Sequence, residues 1–216
     1  MDLEFWHEKW NKNETGFHLK QTHPLLKKHL TADRLNAIKT VFVPLCGKTL
    51  DIQYLLDLGL NVVANELSEV AVQELFKGLD VEPEISEWSG GACYSTGKLK
   101  VWVGDFFELT AEQLESVDLV YDRAALIALP RDMRDSYAKH IKSITGNAPQ
   151  FLITLAYDQN IMSGPPFSVD KKEVEQHYAE MYEIGVLSSK EIIEYESKFA
   201  SRGLTSLVES AYWLSC

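Results

Sequence analysis

The chain has 216 residues, of which 45% are hydrophobic and 25% are charged, so it can bury a domain-sized core. Its formal net charge of −11 argues against nucleic-acid binding and against docking on an anionic membrane, because both require a basic face. No apolar run approaches the ~18 residues that a membrane span requires. The N-terminal sequence MDLEFWHEKW also lacks the basic start and apolar core of a signal peptide.

The cysteines are few and widely spaced. Cys46, Cys93 and Cys216 form no CxxC pair, so we expect no zinc or other metal site. An odd number of separated cysteines is typical of reduced thiols, which predicts a cytoplasmic protein. No coiled-coil heptad or large apolar stripe is evident, so we expect a monomer.

Strands and helices alternate along the chain. The spacing predicts helices over 50–58 and after the cap residue Ser68, and β-rich runs predict five strands, at 41–43, 61–65, 99–103, 117–121 and 151–156. Strands separated by helices favour a Rossmann-like α/β fold with a mostly parallel central sheet and helices on both faces. No repeat or linker divides the chain, so residues 1–216 are predicted to form one domain.

The C-terminal part has a different pattern. The segments 192–195 and 206–214 look like strands with no long helix between them, and Arg202 and Gly203 fall near the expected turn. They predict an antiparallel edge on the sheet, which is common in doubly wound folds.

Open parallel sheets bind ligands just beyond the carboxyl ends of their strands. At those positions lie a turn containing Gly47, then Glu66, then Asp105 with Phe106, and then Arg123. A glycine turn allows close backbone approach, an acid about 20 residues further suits ribose hydroxyls, and an acid beside aromatic residues suits adenine. Each has a simpler explanation on its own: a plain turn, a solvated carboxylate at a helix start, or a helix cap. Their order at consecutive strand ends favours a nucleoside site.

The first turn narrows the choice of ligand. It holds one glycine, whereas a dinucleotide-binding turn has GxGxxG and a P-loop has a glycine five positions earlier. An adenosyl sulfonium, whose only anion is a carboxylate, needs less glycine than a pyrophosphate does. The turn therefore favours S-adenosylmethionine over a nicotinamide dinucleotide.

Aromatic residues crowd the segment before the first strand. Trp6 and Trp10 are four residues apart and would share one helix face, and Phe17 and His18 follow. They would either pack on the sheet or form a helical lid over the cofactor within residues 1–38. An aromatic face beside a sulfonium gains cation–π attraction, worth ~1–2 kcal/mol when water is excluded.

The motifs FVPLCGK (42–48), NELS (65–68), YDRAAL (121–126) and SGPPF (163–167) resemble the thiopurine S-methyltransferase family, and the short N-terminus resembles its bacterial branch. The resemblance covers nearly the whole chain. It implies a class I methyltransferase fold and transfer of a methyl group from S-adenosylmethionine to the sulfur of small aromatic thiols, including thiopurines, with selenium and tellurium compounds as further acceptors. S-adenosylhomocysteine would be the product. The cofactor contacts that it implies, with neighbouring additions, are Trp6, Trp10, Leu45, Gly47, Glu66, Asp105, Phe106 and Arg123.

For the acceptor, the resemblance implies Phe17. Arg123 is expected to lie on the acceptor side as well, because it follows the fourth strand, where the methyl group should point. An aromatic thiol is already substantially ionised near neutral pH, so no general base is assigned, and Arg123 is the expected catalytic charge beside the thiolate. Cys46 is not expected to be a nucleophile. The loop at 163–167 is expected to be rigid and to form a wall of the acceptor pocket. The chain departs from the family pattern at Lys198, where some relatives carry arginine, and across 86–99.

Three other functions are compatible with the pattern. A nicotinamide-dependent oxidoreductase of the same fold would need a glycine-richer first turn. A non-catalytic adenosyl-ligand binder has the same fold, and only turnover distinguishes it. A methyltransferase for oxygen or nitrogen acceptors usually has a base or metal beside the acceptor, and neither is evident.

Overall fold

The structure, a computed structural model, describes residues 3–12 and 18–216. The chain divides into two compact units, one up to residue 120 and the other from 121 onward. Elements of the first unit, in chain order, are α1 (Leu3–Asn11), α2 (Pro24–His29), α3 (Ala32–Leu35), β1 (Thr40–Val43), α4 (Asp51–Asp57), β2 (Asn61–Glu66), α5 (Glu69–Gly78), β3 (Glu84–Trp88), β4 (Gly91–Thr96), β5 (Leu99–Val103), a 3₁₀ helix (Phe106–Glu108) and α6 (Ala111–Leu114).

The strand β6 (Leu119–Arg123) begins in the first unit and ends in the second. The remaining elements of the second unit are a 3₁₀ helix (Leu126–Ala128), α7 (Arg131–Thr145), β7 (Gln150–Ala156), α8 (Lys171–Tyr178), β8 (Glu183–Glu191), a 3₁₀ helix (Ile193–Tyr195), α9 (Ser197–Ala200) and β9 (Val208–Ser215). In the described residues, no helix is both long and apolar enough to cross a membrane.

The first unit is built on parallel strands. Strand β1 pairs in parallel with β2 and with the start of β6, and β2 pairs in parallel with β5. Strands β4 and β3 continue antiparallel from β5, which gives the order β3-β4-β5-β2-β1. The last three residues of β1 and the last five of β2 are buried. Continuous burial of this kind is expected where helices cover both faces of a parallel sheet.

The second unit has the strand order β6-β7-β9-β8. Strand β9 pairs antiparallel with β7 on one side and with β8 on the other. Aromatic side chains fill its interior: the rings of Tyr121 and Phe151 have centroids 5.7 Å apart, and both side chains are buried. The predicted mostly parallel central sheet with an antiparallel C-terminal edge is confirmed.

The five predicted inner strands are confirmed, each within two residues of its expected bounds. Strand β6 shows the largest shift, because it begins at Leu119 rather than 117. Asp118 turns its carboxylate to the backbone amides of Lys39 and Thr40 at the start of β1, over 2.8 and 2.9 Å, instead of extending the strand. Ser68 caps α5 as predicted, since its hydroxyl accepts from the amide of Ala71 over 3.4 Å.

The predicted strand over 192–195 is wrong. A 3₁₀ helix lies there, and the partner of β9 is the preceding strand β8. The carboxylate of Glu191 explains the change, because it accepts from the amides of Ile192 and Ile193 over 3.1 Å and thereby turns the chain out of the sheet. It also accepts from the Leu207 amide over 2.7 Å, which closes the long connection. Arg202 lies within that connection, after α9, rather than at a tight hairpin turn.

The hairpin formed by β3 and β4 is absent from the sequence prediction. It falls largely within residues 86–99, the segment expected from the sequence to depart from the family pattern. Its outer strand β3 is exposed along most of its length, and Ile85 is 60% exposed. A strand that buries neither face has no alternating apolar pattern to detect. Helices α1, α2 and α3 lie within residues 1–38, and the single-domain organisation and the lid role of that segment stay predictions.

Candidate functional site

The turn after β1 contains two residues with left-handed backbone angles. Leu45 has a φ of +46° and Gly47 a φ of +54°. Glycine adopts this region without a steric penalty, whereas leucine rarely does. The amide of Cys46 donates to the carbonyl of Asn65 over 2.9 Å, which fixes the turn against the end of β2.

A tryptophan of the N-terminal helix α1 lies on this turn. Trp10 is only 5% exposed, and a Cβ placed on Gly47 would lie 3.1 Å from Cζ2 of its indole ring. The ammonium of Lys48 lies 5.7 Å from the centroid of the same ring and 2.5 Å from the carboxylate of Glu74. Trp6, one turn earlier in α1, is half-buried. The structure thus brings Trp10 and Gly47 together.

Glu66, the last residue of β2, links two loops through its carboxylate. Its Oε2 accepts from the amide of Gly47 over 2.7 Å, and its Oε1 accepts from the amide of Ser68 over 2.9 Å. Burial raises the pKa of this carboxyl above its usual value, and the backbone hydrogen bonds act in the opposite direction. Each carboxylate oxygen can accept a further hydrogen bond, so the group remains able to bind two hydroxyls.

The end of β5 is fixed to the end of β2. The buried side-chain amide of Asn65 donates to the carbonyls of Trp102 and Gly104, both over 3.0 Å, and the Gly104 amide donates to the Glu66 carbonyl over 3.0 Å. Because Asp105 follows Gly104, these bonds set its position relative to Glu66. Sequence reasoning assigned no role to Asn65. The signal was an asparagine directly after the apolar residues of β2, since a buried amide must find partners.

Asp105 caps the short 3₁₀ helix that follows β5. Its Oδ1 accepts from the amide of Phe107 over 3.0 Å. The ring of Phe106 is 1% exposed and therefore part of the core, whereas Phe107 is half-buried and packs edge-on against it with centroids 5.4 Å apart. The helix near Thr110 has its own cap, in which the side chain of Gln113 accepts from the Thr110 amide over 2.8 Å. Capping that helix is thus not the role of Asp105.

Arg123 lies in the second unit, as the last residue of β6, and is half-buried. The preceding residue, Asp122, is fully buried. Its Oδ1 accepts from the amide of Leu126 over 3.1 Å and its Oδ2 from the hydroxyl of Tyr137 over 2.8 Å. Burial raises the pKa of Asp122 to about 6. The first bond closes a turn around Ala124, whose φ is +65°, and so fixes the backbone beside Arg123.

The loop at 163–167 is held by backbone contacts within the second unit. The amide of Phe167 donates to the carbonyl of Ile127 over 2.6 Å, and the hydroxyl of Tyr157 donates to the carbonyl of Pro166 over 2.6 Å. The guanidinium of Arg134, itself buried, lies 5.5 Å from the centroid of the Phe167 ring. These contacts agree with a rigid loop, and its role as a pocket wall stays a prediction.

Three further residues discussed from the sequence are Phe17, Cys46 and Lys198. Phe17 lies outside the described residues. Cys46 is buried, and burial beside the Glu66 carboxylate raises the pKa of its thiol well above the usual value, which disfavours a thiolate nucleophile. Lys198 is exposed on α9. Within residues 3–12 and 18–216, no group of three or more His, Cys, Asp or Glu side chains could hold a metal ion.

The residues of the first unit fit S-adenosylmethionine. A carboxylate held by two backbone amides suits the ribose hydroxyls. The turn at Gly47, which has a positive φ and little room for a Cβ, lies beside an indole ring that suits a sulfonium. Asp105 is fixed relative to Glu66 through the bonds of Asn65 and Gly104, which suits a base linked to that ribose.

Comparison with known proteins identifies close relatives. The family model described as thiopurine S-methyltransferase matches residues 1–215. The thiopurine S-methyltransferase of Gluconobacter oxydans is 44% identical over 188 residues, covering 87% of this chain and 86% of that protein. The enzyme of the same name from Pseudomonas aeruginosa is 42% identical over 215 residues, covering 99% of each chain.

Solved structures show the same fold at low sequence identity. The 1,6-didemethyltoxoflavin-N1-methyltransferase of Burkholderia thailandensis, solved with bound S-adenosylhomocysteine, has a TM-score of 0.63 at 13% identity, covering 99% of this chain and 87% of its own. A SAM-dependent methyltransferase from Anabaena variabilis has a TM-score of 0.60 at 10% identity, covering 99% and 94%. These likenesses concern the fold.

The comparisons confirm the predicted fold class, the enzyme class and S-adenosylmethionine as the methyl donor, and nothing in them supports the nicotinamide-dependent oxidoreductase. They also agree with the family that the sequence motifs resemble. From the match over residues 1–215 and from relatives at 42–45% identity, the chain belongs to the thiopurine S-methyltransferase family.

Proposed function

We propose that this protein transfers the methyl group of S-adenosylmethionine to the sulfur of small aromatic or heterocyclic thiols, including thiopurines, with selenium and tellurium compounds as further acceptors. The observation that carries the donor site is the Glu66 carboxylate, held by the amides of Gly47 and Ser68 at 2.7 and 2.9 Å. The proposed class of acceptor is taken from the name of the relatives, thiopurine S-methyltransferase.

On this proposal, different residues of the first unit bind different parts of the cofactor. Glu66 accepts from the ribose hydroxyls, and Leu45 and Gly47 hold the amino-acid part at the turn. Trp10, with Trp6, offers an aromatic face to the sulfonium. Asp105 and Phe106, with the half-buried Phe107 beside them, receive the adenine. The positions of two of these side chains support their roles: backbone amides hold Glu66, and Trp10 lies against Gly47.

The bound cofactor would supply an electrophilic methyl group to an in-line displacement. The acceptor sulfur would form the new carbon–sulfur bond while the bond from the methyl carbon to the sulfonium sulfur breaks, giving a methyl thioether and S-adenosylhomocysteine. Alignment of the two reactants then contributes much of the acceleration. On this proposal, the charge of Arg123 stabilises the acceptor thiolate, and Arg123 also contacts the cofactor. Because the same charge raises the ionised fraction of the acceptor, the thiol proton is lost to solvent. Phe17 is assigned to the acceptor from the family resemblance.

We extend the proposal to the compartment and the oligomeric state of the protein. We place the protein in the cytoplasm, which agrees with its free cysteines at positions 46, 93 and 216. A monomer that binds only small molecules stays the expectation from sequence, and size-exclusion chromatography with light scattering would test it.

A calorimetric titration tests the donor site first. We expect one-to-one binding of S-adenosylhomocysteine and no heat of binding with NAD under the same conditions. Turnover of S-adenosylmethionine with thiophenol or a thiopurine, compared with phenol and aniline of matched ring size, then tests the acceptor class. Binding without turnover of any sulfur or selenium acceptor would contradict the enzymatic proposal and favour a ligand-binding module.

A further inference from the structure

Trp88, at the end of the edge strand β3, lies over the end of the inner strand β5. Its indole Nε1 donates to the carbonyl of Val103, the last residue of β5, over 3.0 Å. Its ring packs edge-on against Trp102 with centroids 5.6 Å apart, and the indole of Trp102 donates in turn to the carbonyl of Gln113 over 3.1 Å. Trp88 is therefore held in a defined position beside the last residues of β5.

Glycines allow this approach. A Cβ on Gly104 would lie 2.5 Å from the carbonyl oxygen of Gly90 and 2.9 Å from Cζ2 of Trp88. A Cβ on Gly91 would lie 2.4 Å from the carbonyl oxygen of Val103, and one on Gly90 would lie 2.3 Å from the Trp88 ring. No side chain fits at these three positions, so the turn of the hairpin touches the backbone of Gly104 directly.

The other side of Gly104 is held by β2. Its amide donates to the carbonyl of Glu66, and its carbonyl accepts from the side chain of Asn65, each over 3.0 Å. Gly104 is thus enclosed between the end of β2 and the hairpin. The next residue is Asp105, so the direction of its carboxylate depends on both sides of this enclosure.

We propose that Trp88 is a positioning residue for adenine recognition, which sets the Asp105 carboxylate by holding Gly104 against β2. This inference rests on the proposed function, in which Asp105 receives the adenine. It gives a role to the hairpin formed by β3 and β4.

The chemistry of the base supplies a specific test. Adenine presents an exocyclic amino group that donates to a carboxylate, whereas hypoxanthine presents a carbonyl oxygen that a carboxylate repels. A correctly placed Asp105 therefore prefers S-adenosylhomocysteine over S-inosylhomocysteine. A misplaced carboxylate loses that preference even where the rest of the ligand still binds.

The experiment measures the dissociation constants of both ligands by calorimetry for the wild type and for four variants. We expect the wild type to prefer S-adenosylhomocysteine by about 10- to 100-fold, the range for a hydrogen bond to a charged group. Trp88→Ala should reduce this preference by about threefold or more, and Trp88→Phe, which lacks only the indole donor, by less. Ile85→Ala, exposed on the same strand, is the matched control and should behave as the wild type. Asp105→Asn should abolish the preference.

The outcomes separate the two proposals. Preserved preference in both Trp88 variants, with Asp105→Asn showing none, overturns the role of Trp88 and leaves the adenine assignment intact. No preference in the wild type removes the adenine assignment, and the inference with it. Circular dichroism melts check that each variant is folded. Since Trp88→Phe retains an aromatic ring in the same place, it carries the test if Trp88→Ala does not fold.

Discussion

The carboxylate of Glu66 accepts from the backbone amide of Gly47 over 2.7 Å, although the two residues are 19 positions apart. This bond joins the end of β2 to the turn after β1. The second oxygen of the same carboxylate accepts from Ser68 at the start of α5. One side chain therefore organises the two loops in which a nucleoside site of this fold is built, before any ligand is considered.

Replacement of Glu66 by alanine should weaken the binding of S-adenosylhomocysteine by ~1–3 kcal/mol, which is about 5- to 150-fold in the dissociation constant. The reason is the loss of charge-assisted hydrogen bonds to the ribose hydroxyls. Calorimetry measures the effect, and Glu87→Ala, which removes an exposed carboxylate from β3, is the control for net charge. Unchanged affinity in Glu66→Ala would remove the ribose assignment.

Asp122 should make the stability of the protein depend on pH. Its pKa is about 6 in the folded chain because the carboxyl is buried, compared with about 3.9 when unfolded. The folded state therefore binds the proton of the Asp122 carboxyl more tightly than the unfolded state does. The resulting contribution to the free energy of unfolding is complete below pH ~4 and is lost as the pH rises through 6. Relative to Asp122→Asn, which does not titrate there, the wild type should lose about 1 kcal/mol of unfolding free energy between pH 5 and pH 7.5.

Urea unfolding at several pH values measures this difference. Tyr137→Phe provides a second check, because it removes the hydroxyl that donates to Asp122 over 2.8 Å and stabilises the charged form. Its loss should move the transition to higher pH. Parallel stability curves for the wild type and Asp122→Asn would show that Asp122 stays ionised throughout.

The inner strands could be predicted because burial on both faces leaves a readable apolar run, such as VFV in β1 and FLITLA in β7. The positions of Glu66 and Asp105 at strand ends could be predicted, because each closely follows a readable apolar run, and their roles stay predictions. Neither argument reaches β3, which is mostly exposed, or the bend at Glu191, which depends on bonds that the side chain makes to the amides of later residues.

Asn65 shows where prediction from sequence ends. The sequence reveals an amide in an apolar strand, but its partners, the carbonyls of Trp102 and Gly104, lie 37 and 39 residues away. Only the register of β2 against β5 brings these groups together, with Asn65 opposite Trp102. The role of Trp88 has the same origin, because it depends on a hairpin that pairs with the end of β5.

Arg123 should act on the acceptor through its charge. Arg123→Ala is expected to lower kcat/KM for an aromatic thiol by about 10- to 100-fold, the range for loss of a hydrogen bond to a charged group. Arg123→Lys should retain part of the activity, since lysine keeps the charge and loses the planar fork. Steady-state kinetics with a series of thiols measures both, and the exposed Arg131→Ala is the control. Unaltered kcat and KM in Arg123→Ala would contradict the assignment.

Gly47 should not tolerate a side chain. In Gly47→Ala, the backbone must keep a φ of +54° and the new Cβ would lie 3.1 Å from the ring of Trp10. The left-handed conformation alone costs roughly 1–2 kcal/mol for a residue other than glycine. We therefore expect a lower unfolding free energy, a change in tryptophan fluorescence as the indole of Trp10 moves, and weaker binding of S-adenosylhomocysteine.

Gly78→Ala is the matched control for this substitution. Gly78 is the last residue of α5, and a Cβ placed there meets no atom within 4 Å. Alanine has the higher helix propensity, so this variant should be as stable as the wild type or more stable, by up to ~1 kcal/mol. Equal stability, fluorescence and ligand affinity in the two variants would show that the contact between Trp10 and Gly47 does not constrain the turn. A loss of stability and ligand affinity in Gly47→Ala alone would show that the contact between Trp10 and Gly47 links helix α1 to the turn after β1.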